Sequence, residues 1–358
     1  PGSGKTFTII QRILYLLGQG VAPQSILVIT FTREAAVSMQ KRFRQTVAGC
    51  EPVNFGTFHS VFYSILREAG VLSSHKIADL SQKTELLAKI IKKHHTDAGL
   101  SMHADEYCEE TKRLLTAFSY YKNTLRQAEA QRLSPAACQA DFDSLYRQYR
   151  DSMRAERKID FDDMLLLCKE FLENNPTARE CLQRRFCHIL IDEFQDINPV
   201  QYEVLKLLSA TPYHIFAVGD DDQSIYGFRG SEPDCMLLFE QDYHAERLSL
   251  DINYRSCEKI VSFSGKMMEA AGGDRFAKKL RSGAQGQDGY VKLLAFEGRL
   301  AQQQYLAERL AANRQTAQTA AVLFRTNAAM QRLAALLQHK KIPYCMKERA
   351  KSIYEHFI

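Results

Sequence analysis

The chain has 358 residues, of which 45% are hydrophobic and 25% charged, so it can hold two or three domains of ordinary size. No apolar run approaches the about 18–20 residues that cross a bilayer, so the sequence predicts no membrane-spanning helix. The net charge of +5 is compatible with an acidic partner such as nucleic acid, but it is below that of a strongly basic binding protein.

The nine cysteines are scattered along the chain and contain no C-x-x-C pair. This spacing predicts the reduced thiols of a cytoplasmic protein, and it argues against both a disulfide framework and a metal site. The cysteines therefore add no candidate functional residue.

The first predicted element is a glycine-rich turn followed by a helix at residues 7–17. The turn, PGSGKT, matches the last six residues of the phosphate loop G-x-x-x-x-G-K-[ST]. In such a loop, backbone N–H groups at Gly2, Ser3 and Gly4 surround a phosphate. The Lys5 amine would reach the β- and γ-phosphates, and the Thr6 hydroxyl would bind Mg²⁺. The alternative is a chance turn before a helix. Because the chain begins inside the motif, we expect a piece cut within the loop, without the preceding strand.

The following elements predict an α/β domain that is interrupted by helices. A buried strand is expected at 25–30, with helices at 33–47 and 57–68. Residues 71–156 lack strand signals and carry apolar residues at helical spacing, which predicts a helical insertion.

After a helix at 160–172, the segment Cys187–Asp196, CHILIDEFQD, predicts a buried parallel strand over residues 188–194 that carries two adjacent acids. Ligands bind at the C-terminal ends of such strands. Because Asp192 and Glu193 repel each other there, a cation is expected, and Mg²⁺ with nucleotide phosphates is the common solution. The alternative is a solvated strand end. Together with the phosphate loop, this segment predicts a nucleoside-triphosphatase.

The α/β pattern continues to the end of the chain. The loop Gly219–Ser231, GDDDQSIYGFRGS, combines three acids with a glutamine, two aromatics and an arginine. Because adjacent acids repel one another, this composition is electrostatically too costly for a turn without a function. A second α/β unit is predicted from about Asn253. The predicted elements of this part are helix 199–209, strand 214–218, helix 257–271, loop 282–289, strand 290–296, helix 301–313, strand 319–324 and helix 327–338.

The motifs and their order resemble those of a known family. PGSGKT, ITFTREAA, GTFHS, IDEFQD, GDDDQSIYGFRGS and LDINYRS follow one another along the chain. In this order they resemble the superfamily-one DNA helicases of the UvrD/Rep/PcrA type, from Pro1 to about Leu337. The fold that this resemblance implies is α/β: a RecA-like phosphate-loop NTPase domain with a parallel sheet, a helical insertion and the start of a second RecA-like domain.

The resemblance implies ATP and Mg²⁺ bound between two RecA-like domains. Glu193 matches the acid that polarises the attacking water, and Gln223 matches a glutamine that senses the γ-phosphate. Arg255 matches an arginine that reaches the γ-phosphate from the second domain, and Tyr254 matches a tyrosine that stacks on adenine. Taken alone, Tyr254 would be a core aromatic and Arg255 a surface ion-pair residue. The remaining matches are the phosphate-loop residues Lys5 and Thr6, the Mg²⁺ ligand Asp192, and Gln195, which links the nucleotide and DNA sites.

The resemblance also implies contacts with single-stranded DNA. Phe31, Tyr226 and Phe228 match residues that stack on bases, which gives sequence-tolerant binding of about 1–3 kcal/mol per base. Thr57, His59 and Ser60 match contacts to the strand backbone, and the alternative for His59 is a hydrogen-bonded interior histidine. The other matches are Arg229, which couples the two sites, and Arg325 and Asn327 in a DNA-contacting segment of the second domain.

The implied function is an ATP-dependent helicase that translocates 3′-to-5′ on single-stranded DNA, engages single-strand/double-strand junctions and acts in DNA repair or replication. The expected domains are a RecA-like domain at 1–70 and 157–252, the helical insertion at 71–156, and an incomplete second RecA-like domain at 253–358. The alternatives are the helicase subunit of a RecB-type helicase–nuclease and a nucleic-acid-binding relative without motor activity. Because later family motifs are absent, we expect this chain alone to show little or no DNA-stimulated ATP hydrolysis.

Overall fold

The structure is a computed structural model that describes most of the chain. It describes residues 1–47, 52–97, 99, 103–210, 214–225, 227, 234–272, 276, 278–284, 289–313 and 319–346. The chain packs into two compact units, and the boundary between them falls after Gly289.

Helices and short strands alternate along the described ranges. The helices are α1 (Lys5–Gly18), α2 (Arg33–Thr46), α3 (Phe58–Glu68), α4 (Leu80–Asp97), α5 (Ala104–Thr124), α6 (Gln127–Leu133), α7 (Phe142–Ala155), α8 (Phe161–Asn174), α9 (Pro176–Arg185), α10 (Pro199–Leu208), α11 (Asp234–Tyr243), α12 (Glu258–Ala271), α13 (Arg299–Asn313) and α14 (Asn327–His339). The strands are β1 (Ile26–Thr30), β2 (Asn54–Thr57), β3 (Lys76–Ile77), β4 (Lys158–Ile159), β5 (His188–Ile191), β6 (Ile215–Ala217), β7 (Ile252–Asn253) and β8 (Arg281–Ser282). Single 3₁₀ turns occur at Pro23–Ser25, Ala136–Cys138, Phe194–Asp196 and Asp221–Gln223. Of the helices in the described ranges, none has the length and apolar character that crossing a membrane requires.

A parallel four-stranded sheet with the order β2-β1-β5-β6 lies in the first unit. In its register, Val28 of β1 lies between Phe55 of β2 and Leu190 of β5. All of β1 is buried, as expected for a strand that is covered on both faces. Because the strands are parallel, their C-terminal ends lie at one edge of the sheet, where open α/β folds bind ligands.

Side chains on the two faces of the sheet build two separate cores. Leu27 and Ile29 of β1 pack into one core with α3, α8 and α10, whereas Ile26 and Val28 pack into the other with α1 and α2. Full burial of such a side chain contributes about 1.5–3 kcal/mol, so packing on both faces stabilises the short strands. Helices on both faces of a parallel sheet confirm the predicted α/β class.

Helices α4 to α7 share a core of their own, in the segment where a helical insertion is predicted. Large apolar side chains fill this core, among them Leu87, Ile91, Phe118, Phe142 and Tyr149. The expectation of no strand in this segment was wrong at Lys76–Ile77, because β3 pairs in parallel with β4. A two-residue strand leaves no periodicity in the sequence, and its partner lies far along the chain.

The predicted strands at 290–296 and 319–324 were wrong. Both segments are irregular in the structure, and Leu293 and Leu323 within them are 99% and 92% exposed. Apolar residues favour a strand, but a strand also requires a neighbour that accepts its backbone hydrogen bonds. The helices α13 and α14 beside these segments are formed as predicted and pack around a small core that contains Leu333 and Leu337.

Smaller departures concern element ends and weakly patterned helices. The predicted strand 188–194 ends at Ile191, because Glu193 adopts a left-handed φ of 52° that ends the extended conformation. The predicted loop 282–289 begins with the last residue of β8, which pairs with β7. The strand β2 and the helices α9 and α11 were not predicted. In α9 only Leu182 is buried, so this helix carries no apolar stripe for a pattern to detect.

Candidate functional site

A glycine turn opens α1. Gly2 and Gly4 have φ values of 71° and 90°, which L side chains rarely adopt. A Cβ added to Gly2 would lie 2.7 Å from the Cβ of Arg255, so the close approach of another segment also requires glycine there. The first N–H groups of α1 have no acceptor within the helix, and together with the helix dipole they favour an anion in front of the turn.

The strand β5 brings two carboxylates to this turn. The N–H of Asp192 donates to the carbonyl of Ile29 at 2.9 Å, which continues the sheet pairing by one residue. The buried Asp192 side chain accepts hydrogen bonds from the N–H of Glu193, at 3.0 Å, and from the Thr6 hydroxyl. Glu193 has φ 52° and ψ 47°, a conformation that is costly for a residue other than glycine, and its Oε2 lies 3.5 Å from Nζ of Lys5.

The acids at the end of β5 are costly to ionise. Burial raises the pKa of Asp192 to about 6, and the charge of Glu193 adds to the rise. Burial and Glu193 likewise raise the pKa of Asp196 to about 6. A cation in front of Asp192 would offset this cost. The Thr6 hydroxyl and the Asp192 carboxylate are hydrogen-bonded neighbours and both offer oxygen, so this donor pair fits Mg²⁺.

Gln195 connects β5 to the loop after β6. Its side chain is buried, and its amide group donates to Oε2 of Glu193 at 3.0 Å. Its amide oxygen accepts from the N–H of Asp220 at 2.8 Å, and its backbone carbonyl accepts from the Ser224 hydroxyl at 3.3 Å. The position of the Glu193 carboxylate is therefore tied to the loop that contains Gln223.

Asp220 lies among several donors and cations. Its carboxylate is 2.6 Å from Nζ of Lys278 and 3.8 Å from Nζ of Lys5, and it accepts a hydrogen bond from the Gln223 amide. Burial alone would raise the pKa of Asp220, but the hydrogen bond from Lys278 and the other donors hold it well below its ordinary value. Lys278 also contacts Asp221 and Asp222, the latter at 3.3 Å.

Sequence reasoning missed both Asp220 and Lys278. The unusual density of acids in the loop was the only signal for Asp220. For Lys278 there was no signal, because one lysine of a Lys-Lys pair has no pattern that separates it from other surface lysines.

The segment after β7 lies directly against the glycine turn. The Asn253 amide donates to the carbonyl of Pro1 at 2.6 Å, and the N–H of Tyr254 donates to the carbonyl of Gly2 at 2.9 Å. The side-chain oxygen of Asn253 accepts from the N–H groups of Arg255 and Ser256, both at 2.9 Å. This Asx-type turn holds Arg255 and Tyr254 beside the anion-binding turn, and the Tyr254 side chain is 63% exposed there.

A second group of predicted residues lies on β1, β2 and α3. Phe31 directly follows β1, and Thr57 ends β2 at the same edge of the sheet. Thr57 also caps α3, because its hydroxyl accepts from the N–H of Ser60 at 3.2 Å and its N–H donates to the Ser60 hydroxyl at 2.7 Å. The half-buried ring of His59 meets the ring of Phe161 edge-on, with 5.9 Å between centroids. Phe161 begins α8 and is 55% exposed. It was not among the predicted site residues.

Five other predicted residues are not part of these two groups. Arg325 and Asn327 are exposed in the second unit, on either side of Thr326, which caps α14 by accepting from the N–H of Ala329. The other three lie outside the described residues: Tyr226, Phe228 and Arg229.

Comparison with known proteins matches two family models to the chain. The model of the UvrD/REP helicase N-terminal domain matches residues 1–244, and that of the UvrD-like helicase C-terminal domain matches residues 248–354.

Individual relatives match across most of the chain. YjcD of Bacillus subtilis is 32% identical over 100% of the chain and 47% of its own length. DNA helicase II of Haemophilus influenzae is 31% identical over 78% of the chain and 38% of its own length. The ATP-dependent DNA helicase PcrA of Staphylococcus epidermidis is 30% identical over 96% of the chain and 48% of its own length. The chain therefore spans about half the length, or less, of these curated relatives.

Proposed function

Because the chain belongs to the UvrD/REP helicase family, we propose that it carries the ATP-hydrolysing site of a DNA helicase. One observation carries this proposal: a lysine, a hydroxyl, two adjacent carboxylates and an arginine segment meet around one anion-binding turn. Lys5, Thr6, Asp192 and Glu193 are linked by hydrogen bonds or close contacts, and Arg255 lies against Gly2.

ATP would bind with its phosphates in front of Gly2, Ser3 and Gly4, where the N–H groups at the start of α1 are oriented towards an anion. Thr6 and Asp192 would hold Mg²⁺, which supplies positive charge to the phosphate oxygens. Since the pKa of Asp192 is about 6, this carboxylate is ionised and able to bind the ion at neutral pH.

Glu193 is the proposed base that takes a proton from the attacking water. Its side chain is 37% exposed, which leaves it accessible to a water molecule, and Gln195 orients it from the buried side. Nζ of Lys5 lies 3.5 Å from Glu193 and 3.8 Å from Asp220. A phosphate competes for the lysine through stronger charge-assisted hydrogen bonds, so nucleotide binding would release Glu193 for catalysis.

Three further residues would recognise the nucleotide. Tyr254 offers an exposed aromatic face for stacking on the base. Arg255 would stabilise negative charge that develops on the γ-phosphate, as an arginine finger does. Gln223 would orient the γ-phosphate and the water, and its hydrogen bond to Asp220 connects that task to the loop shared with Gln195.

For DNA, we propose a path along the edge formed by β1 and β2. Phe31 would stack on a base, Thr57 and His59 would contact the strand backbone, and the exposed ring of Phe161 adds a second stacking surface beside His59. The other proposed DNA contacts are Tyr226, Phe228, Arg229, Arg325 and Asn327.

The finer assignments are also proposals. They are movement 3′-to-5′ on single-stranded DNA, action at single-strand/double-strand junctions, a role in repair or replication, and a cytoplasmic location. The proposed domain division is 1–70 with 157–252, 71–156, and 253–358.

The proposal is tested by ATP hydrolysis and strand separation in a protein that contains this chain, with and without single-stranded DNA. Glu193→Gln should lower kcat by about 10²–10⁴-fold while ATP binding is retained, because the amide cannot accept the proton. The matched control is Glu180→Gln on α9, whose carboxylate is exposed. Equal turnover by Glu193→Gln and the unaltered protein would refute the assignment of Glu193, and ATP-independent strand separation would refute the proposed function.

A further inference from the structure

A histidine, a glutamate and a cysteine, all side chains that can bind a metal ion, meet in the core formed by α4 to α7, outside the site described above. His95 comes from α4, Glu110 from α5, and Cys138 from the turn before α7. Their exposures are 0%, 5% and 0%, so the cluster is shielded from solvent. Such burial is unusual for a glutamate, because its charge has to be compensated inside the protein.

The ligand atoms of the three side chains lie close together. Nε2 of His95 is 2.8 Å from Oε2 of Glu110, and the Cys138 thiol donates to Oε1 of Glu110 at 3.3 Å. All three ligand atoms lie within 4.8 Å of one another, and no other group of three or more such residues is found in the part of the chain that the structure describes.

We propose that His95, Glu110 and Cys138 bind one zinc ion that joins α4, α5 and the turn before α7. Imidazole nitrogen, carboxylate oxygen and thiolate sulfur are the ligands that zinc uses in proteins, at about 2.0–2.3 Å. At tetrahedral angles, such bonds separate neighbouring ligand atoms by about 3.3–3.8 Å. The observed spacing is therefore within a small side-chain adjustment of a coordination sphere.

The charges of the proposed site sum to zero. A thiolate and a carboxylate balance the two positive charges of zinc, while the imidazole binds in its neutral form. The Cys138 thiol carries its proton in the hydrogen bond that it donates to Glu110. Zinc binding displaces that proton into solvent, and the net charge of the ligated cluster becomes zero. The soft sulfur and the imidazole favour zinc over Mg²⁺ or Ca²⁺, which prefer oxygen ligands.

Aromatic neighbours hold the His95 ring in place. The neighbouring rings of Tyr107 and His94 pack edge-on against His95 at 5.6 Å and 5.5 Å and hold its orientation. The sequence predicted no metal site among the cysteines, because they form no C-x-x-C pair. His95, Glu110 and Cys138 are far apart in sequence and follow no compact motif.

The test uses the whole chain, freed of metal with a chelator, loaded with zinc chloride and desalted. Elemental analysis should then find about one zinc per chain, and thermal unfolding should occur at a higher temperature than for the metal-free protein. Replacement of zinc by Co²⁺ should give a thiolate-to-cobalt charge-transfer band. Cys138→Ser and Glu110→Gln should each raise the dissociation constant for zinc at least about tenfold.

Cys168→Ser is the matched control. Cys168 is also fully buried, and burial raises its pKa to about 12, but it lies in the core beneath the sheet and belongs to no such cluster among the described residues. This variant should bind zinc like the unaltered chain. Substoichiometric zinc after desalting, a cobalt protein without the thiolate band, or equal zinc binding by Cys138→Ser would overturn the proposal and leave a hydrogen-bonded trio only. The stoichiometry and the cobalt spectrum of the unaltered chain decide the question even if Cys138→Ser does not fold.

Discussion

Two clusters in the first unit combine lysine with acidic side chains, and they differ in how well their charges are matched. Where α5 meets α8, Nζ of Lys122 is 3.0 Å from Asp160 and 2.6 Å from Asp163, and the lysine is 1% exposed. At the glycine turn, Nζ of Lys5 is 3.5 Å from Glu193 and makes no shorter ion pair among the described residues. We call the first the junction cluster and the second the site cluster.

The difference in charge matching appears in the pKa values. In the junction cluster, burial opposes the charge on Lys122, but Asp160 and Asp163 outweigh it and raise the pKa of the lysine. Burial alone would raise the pKa of Asp160, but Lys122 and Lys83 lower it. In the site cluster, burial and a neighbouring acid raise the pKa of Asp192 to about 6. In the junction cluster Lys122 and Lys83 compensate Asp160, although burial and Asp160 raise the pKa of Asp163. The site cluster retains more negative charge, which a bound cation can offset.

The largest effect is expected from breaking the junction cluster. Lys122→Met leaves Asp163 without a cation and Asp160 with only Lys83, 3.7 Å away, so we expect the free energy of unfolding to fall by about 3–5 kcal/mol. Urea unfolding followed by circular dichroism measures this change. The control is Lys89→Met, because Lys89 is 71% exposed in a surface pair with Glu85, and this change should leave the unfolding midpoint nearly unaltered. Similar midpoints for the two variants would show that the junction cluster does not stabilise the fold.

At the site cluster, removal of a charged side chain should raise stability instead of lowering it. The folded-state pKa of Asp192 is raised above the unfolded value of 3.8, so stability falls as pH rises from about 4 to about 6. In metal-free buffer, Asp192→Asn should therefore stabilise the chain at pH 7 by about 1–3 kcal/mol, and the gain should vanish below about pH 4. Thermal unfolding across this pH range measures the difference.

Asp220→Asn is the contrasting variant for that experiment. The pKa of Asp220 is lowered, so its charge stabilises the fold above about pH 4, and its removal should destabilise the chain at pH 7. A loss of stability in Asp192→Asn at pH 7 would contradict the charge deficit at the site cluster.

The smallest effect is expected from Lys278, which joins Asp220 to the segment before β8. Its side chain is 21% exposed, so solvent screens part of the interaction, and Lys278→Met should cost about 1 kcal/mol at pH 7. The loss should shrink at high salt and as pH falls through the pKa of Asp220. Lys279→Met, at an exposed neighbouring position, is the control. An equal effect of the two variants in chemical unfolding would show that Lys278 does not hold the acidic loop.

Much of the sheet and of the site could be predicted from local patterns. The run ILVIT predicted β1, and IDE predicted a buried strand with two acids at its end, because residues adjacent in sequence stay adjacent along the backbone in any fold. The predicted strands at 290–296 and 319–324 were wrong for the complementary reason. Their apolar residues satisfy the pattern, but pairing depends on a second strand that the pattern does not contain.

The sequence by itself determined the parts of the site that depend on neighbours along the chain: the glycines before α1, Lys5 and Thr6 in its first turn, and Asp192 and Glu193 after β5. Only the tertiary structure decided which distant groups reach them. It brought Lys278 to Asp220, Asn253 to the glycine turn, Phe161 to His59, and Cys138 to His95 and Glu110. These pairings depend on how helices and strands pack, and single lysines, asparagines or cysteines carry no local pattern that records a partner far along the chain.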